Sequence, residues 1–357
     1  MSDVKKTSNS AAAAMTTDVM HRAARIEDRM HAFREKRVRK RGFAVTVVPY
    51  PGYGTTAAVR VLCRVLLTRK PHPNSRLAKK MQKRSESVRG WRSFTSVPVN
   101  DVTVTIRING YTTEVHADRG GVVDVLLPMK LSPGEHTVHL QAEDSEVAEA
   151  VVYVTDPQVK LGLISDVDDT VMVTALPRPF LAAWNSFVLD EHARVPTPGM
   201  AVFLSQLSRI IPGMPVIYLS TGAWNVAPTL RRFLGRNLYP KGALLLTDWG
   251  PTHDRMFRSG REHKEKQLRR LAVEFPHVKW ILVGDDGQHD EAIYAEFEQE
   301  FPQNVAAVAI RQLSNGEAVL AGGRKKAEFN SALGDAPWVY APDGAGLLTQ
   351  LQERGVL

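Results

Sequence analysis

LGLISDVDDT, residues 161–170, sets an apolar run directly against three carboxylates in four positions. A continuous apolar run of this kind reads as a strand buried on both faces, as strands of parallel sheets are. Outward from it the pattern repeats at VIYLS (216–220), ALLLT (243–247), WILVG (280–284) and VAAVAI (305–310). Helical stretches lie between, around 200–210, 226–236, 262–274 and 289–300. Alternating strands and helices predict an α/β unit over 158–357, a parallel sheet with helices on both faces. Ligands of such sheets bind outside the carboxyl ends of the strands. The polar residues that end each strand are therefore the candidates.

Asp166 and Asp168 are two positions apart and share a face of an extended strand. A carboxylate and a backbone carbonyl there can converge on Mg²⁺, which takes hard oxygen ligands in octahedral geometry. A partly desolvated Asp can also attack phosphorus. Thr170 closes the run. The second strand ends in Ser220-Thr221-Gly222-Ala223, ahead of a helix starting near Asn225. A hydroxyl beside free helix N-terminal amides makes a cradle for an anion. Lys264, early in the helix expected at 262–274, can neutralise a phosphate and a carboxylate together. The fourth strand ends in GDDGQHD (284–290), where Asp285 can complete a metal site and Asp290 can orient Lys264 or a metal-bound water. Two acidic clusters meeting at one sheet edge raise each other's pKa and destabilise the fold unless a cation neutralises them.

Upstream the grammar changes. AVTVVPY (44–50) leads into a Gly/Pro stretch, PGYG (51–54), that reads as a turn before AAVRVLCRVLL (57–67). VTVTIRI (102–108) alternates and ends in Asn109-Gly110, a hairpin signal. TTEVHAD (112–118), VVDVLLP (122–128), EHTVHLQ (135–141) and EVAEAVVYV (146–154) follow at short spacing. Such strands predict an all-β sandwich over 43–157. Residues 15–37 carry an apolar stripe at helical spacing with arginines off it, the pattern of a basic amphipathic helix. Residues 1–42 hold 11 Lys/Arg against five acids, and the loop 69–92 holds nine against Glu86 alone. The rest of the chain is net acidic, since the total is only +8. Local basicity of this kind suits an anionic surface.

The four strand-end motifs occur in the order of the haloacid dehalogenase superfamily, whose first motif DVDDT resembles. The flanking text narrows this. VVPYPGYGTTAAVRVLCRVLL (47–67), VIYLSTGAWN (216–225), LLLTDWG (244–250) and GDDGQHDEAIYAE (284–296) look like the actin-patch-protein type of phosphatidate phosphatase. That resemblance implies a haloacid-dehalogenase-like parallel sheet preceded by the sandwich, and Mg²⁺-dependent conversion of phosphatidate to diacylglycerol. It makes Asp166 the nucleophile and Asp168 the general acid/base. Ser220, Thr221, Gly222 and Lys264 would hold the phosphoryl group. Asp166, Asp168 through its carbonyl, and Asp285 would hold the metal, with Thr170 and Asp290 in support.

Between the first two motifs, VMVTALPRPFLAAWNSFVLD (171–190) is too short for a large cap, so the site is expected to be open to a bulky substrate. Phe180, Leu181, Trp184 and Phe187 recur there at helical spacing. A phosphatase of soluble phosphomonoesters or phosphoproteins is the alternative enzyme. A non-catalytic module docking on anionic surfaces is the third reading, against which Asp166, Asp168, Lys264 and Asp285 stand together. The expected partners are a phospholipid and a peripheral membrane surface. Nucleic acid is not expected, because no binding motif is present and most basicity lies outside the α/β unit. The single cysteine, Cys63, excludes an intrachain disulfide. Without a secretory apolar core at the N-terminus, the expected setting is a reducing cytoplasm.

Overall fold

The computed structural model describes residues 33–69, 97–173, 195–247, 253–287, 289–314, 316–317 and 334–357. Residues 33–39 are helical. The rest of the helix expected at 15–37, the basic loop beyond Arg69 and the apolar run at Phe180–Phe187 lie outside the described residues.

Upstream of residue 157 the strands are β1 (Phe43–Thr55), β2 (Ala58–Arg69), β3 (Val97–Pro98), β4 (Thr103–Ile108), β5 (Tyr111–His116), β6 (Val122–Pro128), β7 (Gly134–Ala142) and β8 (Ala148–Thr155). They join in one sheet of order β3-β2-β1-β8-β7-β4-β5, with β6 paired to β2 beside β3. Alternation does what it should: Val104, Ile106 and Ile108 are buried while Arg107 is exposed. Val59, Val61, Val138 and Leu140 face the same core, around which the sheet curls. Asn109 and Gly110 take positive φ, 45° and 83°, and close the β4–β5 hairpin as the sequence suggests.

PGYG (51–54), expected as a turn, is a continuation of β1. A Cβ on Gly52 would lie 2.2 Å from the Arg60 carbonyl oxygen and 2.9 Å from Val152. Glycine is needed there so that β1 can pass closely between β2 and β8, where its register with β2 shifts between Tyr50 and Tyr53. The turn falls just after, at Thr56-Ala57.

Downstream come β9 (Leu161–Asp166), the short pair β10 (Met172–Val173) and β11 (Val195–Pro196), α1 (Met200–Ile210), β12 (Val216–Ala223), α2 (Ala227–Arg236), β13 (Ala243–Thr247), α3 (His253–Glu274), β14 (Lys279–Asp285), α4 (Asp290–Glu300), β15 (Val305–Arg311), β16 (Trp338–Ala341) and α5 (Gly344–Glu353). Six strands form a parallel sheet of order β13-β12-β9-β14-β15-β16. α1 packs on α5, and α3 packs on α4; the right-handed crossovers usual for parallel strands place such helix pairs on opposite faces of the sheet. β16 is anchored by Glu298 of α4, which accepts hydrogen bonds from Ala336 N and Trp338 Nε1 at 3.0 and 2.8 Å. No described helix is long and apolar enough to cross a membrane.

The two sheets share buried material. Tyr50, Tyr53, Leu62 and Val122 of the curled sheet belong to the same apolar cluster as the parallel sheet. Tyr53 stacks on Phe275 with centroids 5.8 Å apart. Beside it, Arg60 pairs with Glu274 at the end of α3 and, at 2.6 Å, with Asp124; Arg270 reaches the other Asp124 oxygen at 2.6 Å. The Glu274 side chain is 8% exposed. Removing one member leaves the others buried and uncompensated, which typically costs about 3–5 kcal/mol. Glu274→Ala is therefore expected to lower stability by about that much. A loss below about 1 kcal/mol in urea unfolding, the range of exposed pairs, would show the cluster to be surface-like.

Candidate active site

The chain leaves β9 towards β12 and β13, then returns to β14 on the other side of β9. In α/β sheets, ligands bind where the strand order reverses in this way, outside the carboxyl ends of the strands, here those of β9 and β14. Asp166 ends β9 and Asp285 ends β14. Ser220 lies in β12, next to β9. The sequence-derived residues thus come from separate elements to one edge.

Lys264 is the centre of the arrangement. Its Nζ lies 2.6 Å from Asp166 Oδ1 and 2.5 Å from Asp290 Oδ1, all three side chains being at least nine-tenths buried. α3 begins at His253, not near 262 as the sequence suggests, so Lys264 projects from its middle. The polar stretch before Leu268 hides the helix from an apolar-periodicity reading. Asp290 opens α4, where the helix N-terminus favours a carboxylate. A Cβ on the neighbouring Gly284 would lie 2.7 Å from Asp290 Oδ2 and 2.8 Å from the Tyr294 ring, so only glycine leaves room for this carboxylate.

Asp168 turns to a different partner: Ser220 Oγ donates to its Oδ2 at 3.1 Å. Gly222 N donates to Ser220 Oγ at 3.0 Å. Thr221 is exposed and Gly222 buried, and Thr247 Oγ1 donates to the carbonyls of both, at 3.1 and 3.3 Å. Thr170 Oγ1 donates to Asp285 Oδ2 at 3.4 Å, and Gly287 N to Asp285 Oδ1 at 2.7 Å.

Burial, first, holds the Asp166 carboxyl well above the usual carboxylate range, against the pull of Lys264. Burial and then the charge of Asp290 push Asp285 up too. Lys264 moves upward despite burial, because Asp166 and Asp290 hold its proton. Asp166, Asp285 and Asp290 each offer an oxygen within 4.8 Å of the others. Three buried carboxylates against one ammonium leave surplus negative charge, and the donor set is hard oxygen throughout. It fits a small divalent cation. Asp290, expected in a supporting role, is the third carboxylate of this group.

Sequence reasoning missed Arg311. It ends β15, is 4% exposed, and donates through Nη1 to the Asp169 carbonyl at 2.7 Å while Nη2 meets Glu317 at 2.8 Å. Asp169 has φ 58°, so Arg311 pins a left-handed residue between Asp168 and Thr170. A charged residue closing an apolar strand, VAAVAIR, was the available signal. His263, beside Lys264, was passed over as well. Burial holds its imidazole neutral, down to about 4, and it shares a hydrogen bond with the Leu245 backbone.

Fold and site together define a doubly wound α/β protein with a carboxylate–lysine centre at its switch point. Residues 161–312 match the family described as phosphatidate phosphatase APP1, catalytic domain. The chain is 28% identical over 157 residues to phosphatidate phosphatase APP1 of Saccharomyces cerevisiae, covering 43% of this chain and 26% of the relative. It is 23% identical over 154 residues to an uncharacterised protein of Schizosaccharomyces pombe, covering 43% and 25%. The match thus spans about a quarter of each curated relative. Among solved structures, a carbohydrate acetylesterase from Xanthomonas citri aligns with a TM-score of 0.27 at 11% identity, over 78% of this chain and 74% of that one. A likeness that faint carries no argument.

Gly284→Ala tests the site's packing. Overpacking of this kind typically costs about 1–3 kcal/mol, and the added methyl should push Asp290 off Lys264. Wild-type stability in urea with an unchanged Asp290–Lys264 contact in a crystal structure of the variant would show that the strand end relaxes freely.

Proposed function

We propose that the chain is a Mg²⁺-dependent phosphatidate phosphatase, releasing diacylglycerol and phosphate through an aspartyl-phosphate. One observation carries the reading: the stretch that matches the APP1 family also supplies Asp166, Asp168, Ser220, Lys264, Asp285 and Asp290, and these converge at one sheet edge. We read residues 158–357 as a haloacid-dehalogenase-like unit and the curled sheet, 43–157, as the sandwich expected before it.

In the proposed cycle the Asp166 carboxylate attacks phosphorus. The bond from phosphorus to the glycerol oxygen breaks, its electron pair leaves with that oxygen, and Asp168 supplies the proton. Water then passes a proton to Asp168 as its oxygen attacks the phosphorus of the aspartyl-phosphate. Phosphate departs and the Asp166 carboxylate returns. Ser220, whose hydroxyl meets Asp168 at 3.1 Å, sets the orientation of the acid and with Gly222 faces the phosphoryl oxygens. Lys264 offsets charge on the nucleophile and on the phosphoryl group. Mg²⁺ held by Asp166, Asp285 and Asp290, with the Asp168 carbonyl as a further donor, would supply Lewis-acid stabilisation of the charge that gathers on the phosphoryl oxygens.

The substrate is a membrane lipid, so the protein would act from the cytoplasm at a membrane surface. The basic stretches 1–42 and 69–92 supply an attraction of about 1 kcal/mol per Lys or Arg close to anionic lipid.

The direct test is phosphate release from phosphatidate in mixed micelles, beside a panel of soluble phosphomonoesters. Asp166→Asn should abolish turnover, and Asp168→Asn should slow it about 10²–10⁴-fold. Turnover of soluble esters alone would move the reading to a soluble phosphatase.

Cation binding has its own signature. A carboxyl raised by folding contributes stability that is fully present below its unfolded pKa, about 4, and is lost as pH rises through its folded value. Asp166 and Asp285 are both raised, so the metal-free protein should weaken upward from about pH 4. Mg²⁺ needs the ionised forms, so it should raise the unfolding temperature more near pH 8 than near about pH 5. Asp285→Asn should remove that increment. An increment independent of pH would contradict the ligand set.

A further inference from the structure

The ladder between β12 and β13 is interrupted between Leu219 and Ala223. Residues 220–222 therefore need other supports to keep their backbone in place at the site. Two come from the parallel-sheet side: Thr247 grips the Thr221 and Gly222 carbonyls, and Ser220 meets Asp168. A third comes from outside the family stretch. Tyr50 of β1, 2% exposed, lays its ring on Trp224 with centroids 4.6 Å apart and planes at 23°. Its hydroxyl donates to the Trp224 carbonyl at 3.2 Å. Trp224 follows directly on the strand end and opens the 3₁₀ turn Trp224–Val226. The contact is 174 residues apart in sequence and buried.

The same curled sheet also reaches the helix that carries Lys264. Tyr53 stacks on Phe275, just beyond α3, and Arg60 pairs with Glu274 at its end. A Cβ on Gly260 of α3 would lie 3.0 Å from Thr221, so helix and loop also pack closely on each other. Both elements proposed to hold the anion are thus braced from one side by β1 and β2.

We propose that Tyr50 is a positioning residue for the anion-holding end of β12 and the turn it enters, Ser220–Trp224, and that the curled sheet is in this way part of the active-site frame. As a statement about catalysis this rests on the phosphatase reading; as a statement about the loop it does not. The phenol fixes the carbonyl that ends the loop, and the ring fixes the indole. A loop so held presents its amides in one arrangement before the anion arrives, where a loose one would lose entropy on ordering.

The experiment uses the full chain. Tyr50→Leu removes both contacts, and Tyr50→Phe removes only the hydrogen bond. Val104→Ala, in the far core of the curled sheet, is the control for lost stability without contact to the loop. Amide hydrogen exchange, in the absence of any ligand, should be at least about tenfold faster across 220–226 in Tyr50→Leu than in the control. Tyr50→Phe should show a smaller change in the same residues, and it serves if the leucine variant does not fold. Inorganic phosphate with Mg²⁺, titrated by calorimetry, should bind Tyr50→Leu about tenfold more weakly, and the phenylalanine variant should recover most of that loss. Exchange across 220–226 no faster than in the control would overturn the proposal. A wild-type chain that hydrolyses no phosphate ester would instead overturn the phosphatase reading, and exchange would still decide the loop's anchor.

Discussion

Lys264 Nζ sits between Asp166 and Asp290, at 2.6 and 2.5 Å, with water largely excluded from all three. For that contact to exist, the end of β9, the middle of α3 and the start of α4 must be in register at once. Breaking one partner leaves a buried charge uncompensated, which is far costlier than losing a surface pair. The packing around it follows from this demand. Gly284 leaves room for Asp290, the α4 N-terminus favours its charge, and Tyr294 Oη donates to the Val283 carbonyl to hold α4 on β14.

The same contact leaves a surplus. One ammonium faces three carboxylates whose oxygens lie within 4.8 Å of one another, and Asp285 accepts hydrogen bonds from the Thr170 hydroxyl and the Gly287 amide. Burial of such a group favours its protonated forms. The raised Asp166 and Asp285 carboxyls are the electrostatic expression of that state. Asp168 stands apart on Ser220, so two neighbouring carboxylates in one motif occupy different environments.

The curled sheet is bound into this arrangement more tightly than a tethered module would be. Inter-domain faces within a chain are usually polar and of modest size. Here Tyr50, Tyr53, Leu62 and Val122 enter the apolar core of the parallel sheet, and a four-membered ionic cluster closes beside them. The elements braced are the loop after Ser220 and the helix of Lys264, so packing between the sheets and geometry at the site are one problem.

Local pattern was enough to read the strand-rich region, the five long parallel strands and the strand-end residues Asp166, Asp168, Ser220 and Asp285. Burial on both faces demands continuous apolar runs, and the first polar residue after each run must lie at its tip. Asn109-Gly110 was legible for a similar reason, since its backbone conformation is a local property. The Gly/Pro stretch at 51–54 was not, because Gly52 answers to Arg60 and Val152, and Gly54 to Ala58 and Val59, on the neighbouring strands and not to a turn. β16 and α5 escaped because four residues and a helix opening in Gly-Ala-Gly carry little periodicity of their own. The Tyr50 anchor, the Arg311 hold on Asp169 and the place of Asp290 among the carboxylates were decided only by tertiary structure. Each joins groups far apart in the chain or on separate elements, and such contacts exist only once the strand order is set.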